Sequence, residues 1–334
     1  MMTRDVYIDF LRFFGLSLII LVHINPPVNI AQIRCFDVPL MLFVSGLTAS
    51  ASNSCEYGKF IVKRTKRLIL PVWIFLAVYL PTLYFLQFKF LPEQYLTGEM
   101  IVRSFLLLDK SIGYVWIIRI FLIVMLVTPL IQKINKKIHN QEFFVIIIII
   151  AFAVLELIHF IGNNIEKNSF TSFVIVDIIQ YGFAYSLPFF LGMRCRLMNK
   201  KSNYKLFVFI LVSFVISLVC YIFFYGLPIR ITPVFKTPPH AYYIVYGCFI
   251  SVILWQIKNN VPKWITNKFF VLLGQNTIWI YLWHMPFALI SNRISELWPV
   301  RYIAVFGCAI LIFMIQRSFV NKINSNFARK YFLG

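Results

Sequence analysis

Asp9, Arg12 and His23 lie in and at the end of an otherwise apolar run, Phe13-Phe14-Gly15-Leu16-Ser17-Leu18-Ile19-Ile20-Leu21-Val22. At about 1.5 Å and 100° per residue, the steps from Arg12 to His23 cover roughly 16 Å and return to nearly the same helix face. Asp9, three residues before Arg12, shares that face. Ionisable groups at membrane depth are costly and therefore mark functional candidates. An imidazole titrates near neutral pH and can take a proton from a hydroxyl, which makes His23 a candidate general base. The competing reading is a histidine satisfied by a neighbouring helix. Arg12 on the same face and the terminating Asn25-Pro26-Pro27 favour function.

Further candidates lie along the chain. In Lys63-Arg64-Thr65-Lys66-Arg67, Arg64 and Arg67 share a helix face beside an apolar segment. Arginine forks grip phosphate through paired N–H donors, but on spacing alone topogenic charge and contact with anionic lipid account for such a cluster better. Asp37 opens the segment Asp37-Val38-Pro39 that runs to Ser45-Gly46. It could orient or charge-balance His23, while the small residues permit close helix packing. Glu156 and His159, three apart in an aliphatic helix, could read an acceptor hydroxyl or pair with one another. Tyr281, Trp283 and His284 suit a sugar site and an interfacial aromatic belt equally. No P-loop, HExxH, GxSxG or Asp-rich divalent-metal motif is present, which disfavours ATP-driven transport and metal-dependent glycosyl transfer. No metal site is expected.

The elements that must position these groups are membrane helices. The 334 residues are 60% hydrophobic, 18% aromatic and 13% charged, with a mean hydropathy of +0.80. Soluble domains run near half apolar and a quarter charged. The net charge of +20 resides largely in short connections between apolar segments, as the positive-inside rule expects, and not in a nucleic-acid-binding surface. Six cysteines without CxxC or His/Cys ligand spacing read as free, mostly buried thiols. The first apolar run carries internal charges and no small-x-small site, so it is read as retained and not as a signal peptide. The fold class is all-α: a polytopic membrane protein of about ten spans, centred on 9–27, 36–52, 68–88, 115–132, 143–161, 175–193, 204–225, 240–257, 269–291 and 300–317. The whole chain, 1–334, reads as one transmembrane domain with no soluble C-terminal domain. The long connection from Phe88 to Tyr114 has room for a short interfacial helix. The Lys/Arg bias puts both termini in the cytoplasm. Asp9 and Arg12 then lie near the cytoplasmic face, while His23, Asp37, Trp116, Arg119, Glu156, His159, Asp177 and His284 gather toward the outside.

These residues together resemble the acyltransferase-3 family of integral-membrane O-acyltransferases. Arg12 and His23 match its Arg-x10-His pattern, preceded by the acid Asp9. Arg64 and Arg67 match its Arg-x-x-Arg motif, followed by Leu68 and Pro71. Leu40-Met41-Leu42-Phe43-Val44-Ser45-Gly46 is similar to its aromatic-rich segment ending in Ser-Gly, and Trp116, Phe190-Leu191-Gly192 and Ile280-Tyr281-Leu282-Trp283-His284 echo later positions. The resemblance implies transfer of an acyl group, usually acetyl, from acyl-CoA to a hydroxyl of a cell-envelope glycan, such as O-antigen polysaccharide or a lipid-linked saccharide precursor, in a bacterial cytoplasmic (inner) membrane. It assigns Arg64 and Arg67, with Arg12, to acetyl-CoA, and His23 to deprotonation of the acceptor, supported by Arg12 and Asp9. Asp37, Trp116, Glu156, His159 and His284 become acceptor-binding candidates. The expected partners are acyl-CoA, the glycan acceptor and membrane lipids, with no nucleic acid and no metal. Two rivals remain on the sequence: a transporter or flippase of an envelope precursor, for which no internal repeat is visible, and a structural subunit of a glycan-synthesis complex.

Overall fold

A computed structural model describes residues 5–50, 57–90, 96–108, 111–112, 115–165, 170–226, 235–323 and 325–333. In chain order the helices are α1 (Val6–Val22), α2 (Val28–Ile33), α3 (Asp37–Ala49), α4 (Tyr57–Phe90), α5 (Gly98–Phe105), α6 (Trp116–Lys137), α7 (Gln141–Asn163), α8 (Phe170–Ser172), α9 (Tyr181–Leu197), α10 (Lys200–Tyr225), α11 (Ala241–Gln256), α12 (Lys268–Gln275), α13 (Thr277–Leu289), α14 (Ser291–Ile294), α15 (Trp298–Ile323) and α16 (Asn326–Phe332). A 3-10 turn, Arg34–Phe36, leads into α3, and a π-helical stretch, Phe173–Gln180, joins α8 to α9. No strand occurs among the described residues.

Helix starts follow the local chemistry of the chain. Side chains of Asp5, Thr97, Asn140, Asn199 and Ser325 accept from the backbone N–H groups that the first turns of α1, α5, α7, α10 and α16 leave unbonded. At the far end of α1, Asn25 takes a left-handed conformation (φ 52°), which Asn tolerates better than most residues. Pro26 and Pro27 then prevent the helix from continuing.

Eight helical stretches among the described residues are long and apolar enough to cross a membrane, so the protein is an all-α, multi-pass membrane protein. Two of the ten expected spans differ. The first, α1, has 17 residues, at the short end of what crosses a bilayer. The segment expected at 269–291 is broken at Gln275-Asn276 into α12 and α13. The connection after Phe88 does carry a short helix, α5. Cys35, Cys195 and Cys248 are buried thiols, Cys308 is half-buried and Cys220 exposed, and none of the five is in a disulfide among the described residues; Cys55 lies outside the described residues.

The chain divides into two compact units, Met1–Ser54 with Leu126–Gly274, and Cys55–Met125 with Gln275–Gly334. In the first, α3 is the packing centre, contacting α1, α9 and α11. Its approach to α9 depends on two glycines. A Cβ on Gly46 would overlap the Phe189 carbonyl, and one on Gly192 would overlap the Phe43 carbonyl. This is the small-residue packing that the Ser45-Gly46 segment suggests. In the same unit, α10 leans on α11 and exposes Val212, Val215, Ile216, Val219 and Phe223. In the second unit, α13 packs against α15 and α4, α16 closes onto both α4 and α15, and the Trp73 indole donates to the Phe105 carbonyl at 3.0 Å, tying α5 to α4.

Candidate active site

Along α1 the sequence pattern becomes a set of contacts. Asp9 is buried, and its carboxylate takes the Arg12 guanidinium at 3.0 Å. The other terminal nitrogen of Arg12 donates to the Thr48 hydroxyl on α3 at 3.2 Å. Arg12 is therefore held from two helices while its side chain stays 26% exposed. His23 caps the opposite end of α1, half-buried, with its backbone N–H bonded to the Ile20 carbonyl at 3.0 Å.

Asp37 sits at the first turn of α3, and its side chain is only 1% exposed. Two cations meet it there. Arg34, itself 4% exposed, pairs with one carboxylate oxygen, and the Lys236 ammonium approaches the other at 3.3 Å. The backbone N–H of Val38 also donates to Asp37 at 2.8 Å. A buried carboxylate requires such partners, because desolvation of an isolated charge is expensive. Arg34 also makes a long contact with the Leu18 carbonyl, 3.4 Å away on α1. Below the cluster, Tyr185 and Tyr243 bring two buried hydroxyls to 3.4 Å from each other.

Lys236 belongs to a short turn, closed by the Lys236–Pro239 bridge, that also presents His240. The His240 Nδ1 faces the Glu156 carboxylate at 3.8 Å, an ion-pair distance too long for a hydrogen bond. The second Glu156 oxygen accepts the Ala241 N–H at 2.8 Å, fixing the carboxylate at the start of α11. His159 lies with its ring 3.6 Å from that of His240. Glu156 and His159 thus do not bond each other directly; His240 is the intermediary. The Gln180 amide nitrogen, at the end of the π-helical stretch, donates to His159 Nδ1 at 3.0 Å and to the Pro239 carbonyl at 3.2 Å. With Nδ1 accepting, the proton of a neutral His159 sits on Nε2, which faces the Asn163 amide at 2.8 Å. The Asn163 oxygen then takes that proton, an orientation set by the network. Both His159 nitrogens are used, whereas His240 Nε2 has no bond among the described residues.

The remaining candidates, Asp177 apart, belong to the second unit. Arg64 and Arg67 are exposed on α4, with the Arg64 guanidinium over the Phe60 ring at 5.6 Å. Trp116 is the first residue of α6 and half-buried, and Arg119 one turn later is buried. His284 is fully buried in α13, and its Nδ1 donates to the Tyr281 carbonyl. Asp177 is half-buried in the π-helical stretch of the first unit. Four polar residues of the site went unread in the sequence: Arg34, Gln180, Lys236 and His240.

Fold and site together define a polytopic membrane protein in which charged and imidazole side chains are deliberately paired at helix ends and crossings. The chain belongs to the acyltransferase-3 family: the family's acyltransferase domain matches residues 5–315, essentially the whole chain. The protein is therefore a membrane acyltransferase. No similar curated protein and no similar solved structure was found.

Proposed function

We infer that this acyltransferase moves an acyl group, acetyl by preference, from cytoplasmic acyl-CoA to a hydroxyl of a cell-envelope glycan or its lipid-linked precursor, in a bacterial cytoplasmic (inner) membrane. The observation that carries the reading is α1 itself: Arg12 is fixed by Asp9 and Thr48 near one end, and His23 stands roughly 16 Å further along. That separation suits a pantetheine arm laid along the helix, with Arg12 beside the donor and His23 at the thioester. Arg64 and Arg67, exposed and one turn apart on α4, are suited to the CoA phosphates.

In the proposed step the His23 imidazole takes the proton of the acceptor hydroxyl. The oxygen forms a bond to the thioester carbonyl carbon, and the carbon–sulfur bond breaks. CoA leaves as its thiolate, and the imidazolium returns the proton to it. Asp37, Trp116, Glu156, His159 and His284 remain the candidates of the acceptor site, Asp37 and His159 as its supports, and they are joined now by His240, whose Nε2 has no bond among the described residues and is suited to meet the acceptor. Carboxylates, imidazoles and an indole face are the groups that recognise sugar hydroxyls and sugar C–H surfaces.

Mass spectrometry of envelope glycans tests the reading in cells that carry the wild-type chain, His23→Ala or no copy. The expected result is an acyl mass increment that only the wild-type chain confers, with both proteins at equal membrane levels. For general-base catalysis the purified His23→Ala protein should lose about 10²–10⁴-fold in rate. Retained activity in that variant refutes the base, and the absence of any acyl-CoA-dependent increment refutes the reaction.

A further inference from the structure

The second unit contains a cavity of about 690 Å³ between α4, α13, α15 and α16. This size falls within the range of small-molecule sites. Its walls are hydrocarbon: Ile74, Val78, Leu83, Pro286, Phe287 and Ile312 are representative. Four polar side chains on the wall already have partners. Trp283 Nε1 donates to the Gln316 oxygen at 2.6 Å, the Gln316 amide nitrogen donates to the Phe332 carbonyl at 2.7 Å, Trp279 Nε1 donates to the Tyr331 carbonyl at 2.8 Å, and the Thr82 hydroxyl donates to the Val78 carbonyl at 2.8 Å. An occupant therefore gains little by offering hydrogen bonds to these four. It gains by burying apolar surface.

Shape and charge narrow the occupant. The lining runs along α13 from Trp279 to Leu289 and along α4 from Ile74 to Leu83, so the cavity extends for about 15 Å along two helix axes. An elongated apolar slot flanked by two helices long enough to cross a membrane, α4 and α15, fits an extended hydrocarbon chain. One end is closed by Trp279 stacked on Phe332, ring centroids 5.4 Å apart. The elements at that end are strongly basic. Arg317 follows the lining residue Gln316, Lys322 ends the same helix, and Arg329 and Lys330 lie on α16 just before Phe332. None of these four is in an ion pair among the described residues, and Lys330 rests over the Tyr331 ring at 5.0 Å. Basic residues beside a gap between membrane helices favour anionic lipid headgroups.

We propose that this cavity is a binding site for one diacyl phospholipid with an anionic headgroup, its chain in the slot and its phosphate against the basic end formed by α15 and α16. Its occupant braces α16 against α13 through the Trp279–Phe332 stack.

Phosphatidylglycerol carrying a mid-chain diazirine, incorporated in vesicles with the full-length protein, reads the site by photolabelling and peptide mapping. Label should concentrate on peptides holding 74–83, 279–290 and 312–316. Excess unlabelled phosphatidylglycerol should displace it, and phosphatidylcholine should not. Val78→Trp, which fills the slot from an exposed position on α4, should reduce that labelling at least fivefold, and the exposed pair Arg329→Gln/Lys330→Gln should abolish the preference over phosphatidylcholine. Labelling of α10 serves as the reference for lipid that merely surrounds the protein. Label spread evenly over α10 and the cavity peptides, equal displacement by both lipids, or undiminished labelling in Val78→Trp overturns the proposal.

Discussion

Replacing Asp37 with Asn keeps the shape of the side chain and leaves two cations facing no anion. The cost follows from what each partner retains. Among the described residues Arg34, 4% exposed, keeps only the 3.4 Å contact with the Leu18 carbonyl, and its Nε already has no partner there. Lys236 is 12% exposed, and its long stem can carry the ammonium toward water. Removing one member of a buried ion pair costs about 3–5 kcal/mol, and the escape open to Lys236 places Asp37→Asn near about 3 kcal/mol. That corresponds to a fall on the order of 10 °C in the unfolding midpoint, measurable by tryptophan fluorescence or by size-exclusion after heating in matched detergent. The control is Arg34→Met/Asp37→Leu, which replaces the more deeply buried pair with apolar side chains and leaves only Lys236, the cation with a route to water. Buried pairs replaced by apolar residues are commonly neutral or stabilising, so this double variant should recover most of the loss. An unchanged midpoint for Asp37→Asn, or a double variant no better than the single, refutes the assignment of Asp37 as the counter-ion of this cluster.

If Arg64 and Arg67 hold the CoA phosphates, Arg64→Gln or Arg67→Gln should each raise the KM for acyl-CoA by about 10–100-fold, since a charge-assisted bond contributes about 1.5–3 kcal/mol, and Arg64→Gln/Arg67→Gln should raise it further. Arg64→Lys/Arg67→Lys keeps the charge without the fork and should fall between the wild type and the double Gln variant; initial-rate kinetics with an unchanged KM in the double Gln variant would remove these residues from the donor site. At the α3–α9 crossing, Gly46→Ala would push a methyl into the Phe189 carbonyl, and overpacking of this kind costs at least about 1–3 kcal/mol. Gly307→Ala on α15 meets nothing within 4 Å and should be neutral or mildly stabilising. Yields and unfolding midpoints of the two proteins compare them directly, and equal stability would mean that the helices do not approach as closely as described.

The ladder of apolar helices was legible because a bilayer admits few alternatives to helices for spanning segments. Asp9 and Arg12 were legible as a pair because the spacing that puts two residues on one helix face is local, and they do bond at 3.0 Å. The same spacing relates Arg34 to Asp37, so that pair carried an equal signal, hidden by the short α2 and the 3-10 turn that hold Arg34 outside any long helix. Lys236 and His240 carried none. They lie in Phe235-Lys236-Thr237-Pro238-Pro239-His240, which has no helical period, and their partners are Asp37 and Glu156, far away in the chain. Glu156 and His159 were read from their helix as a possible pair, but the imidazole that links them comes from this turn. The division of α12 from α13 was also unread, since the polar run Gln275-Asn276-Thr277 has apolar residues on both sides and the combined length suits one span. Gly274 serves a tertiary purpose, for a Cβ there would overlap the Asp9 carbonyl.

The turn around Pro238 joins two clusters that would otherwise be independent. Its Lys236 is anchored by Asp37 at the start of α3, and its His240 is presented to Glu156 on α7. Anchoring at one end therefore sets the position of the imidazole at the other. Of the two histidines in this region, His159 has both nitrogens committed to Gln180 and Asn163, so it functions as a strut. His240 has one nitrogen turned to a carboxylate and the other unengaged, the arrangement that lets an imidazole accept or donate a hydrogen bond to a bound hydroxyl. The buried charge on Asp37 thus has a use beyond local neutrality: it holds in place the loop that carries the more versatile histidine.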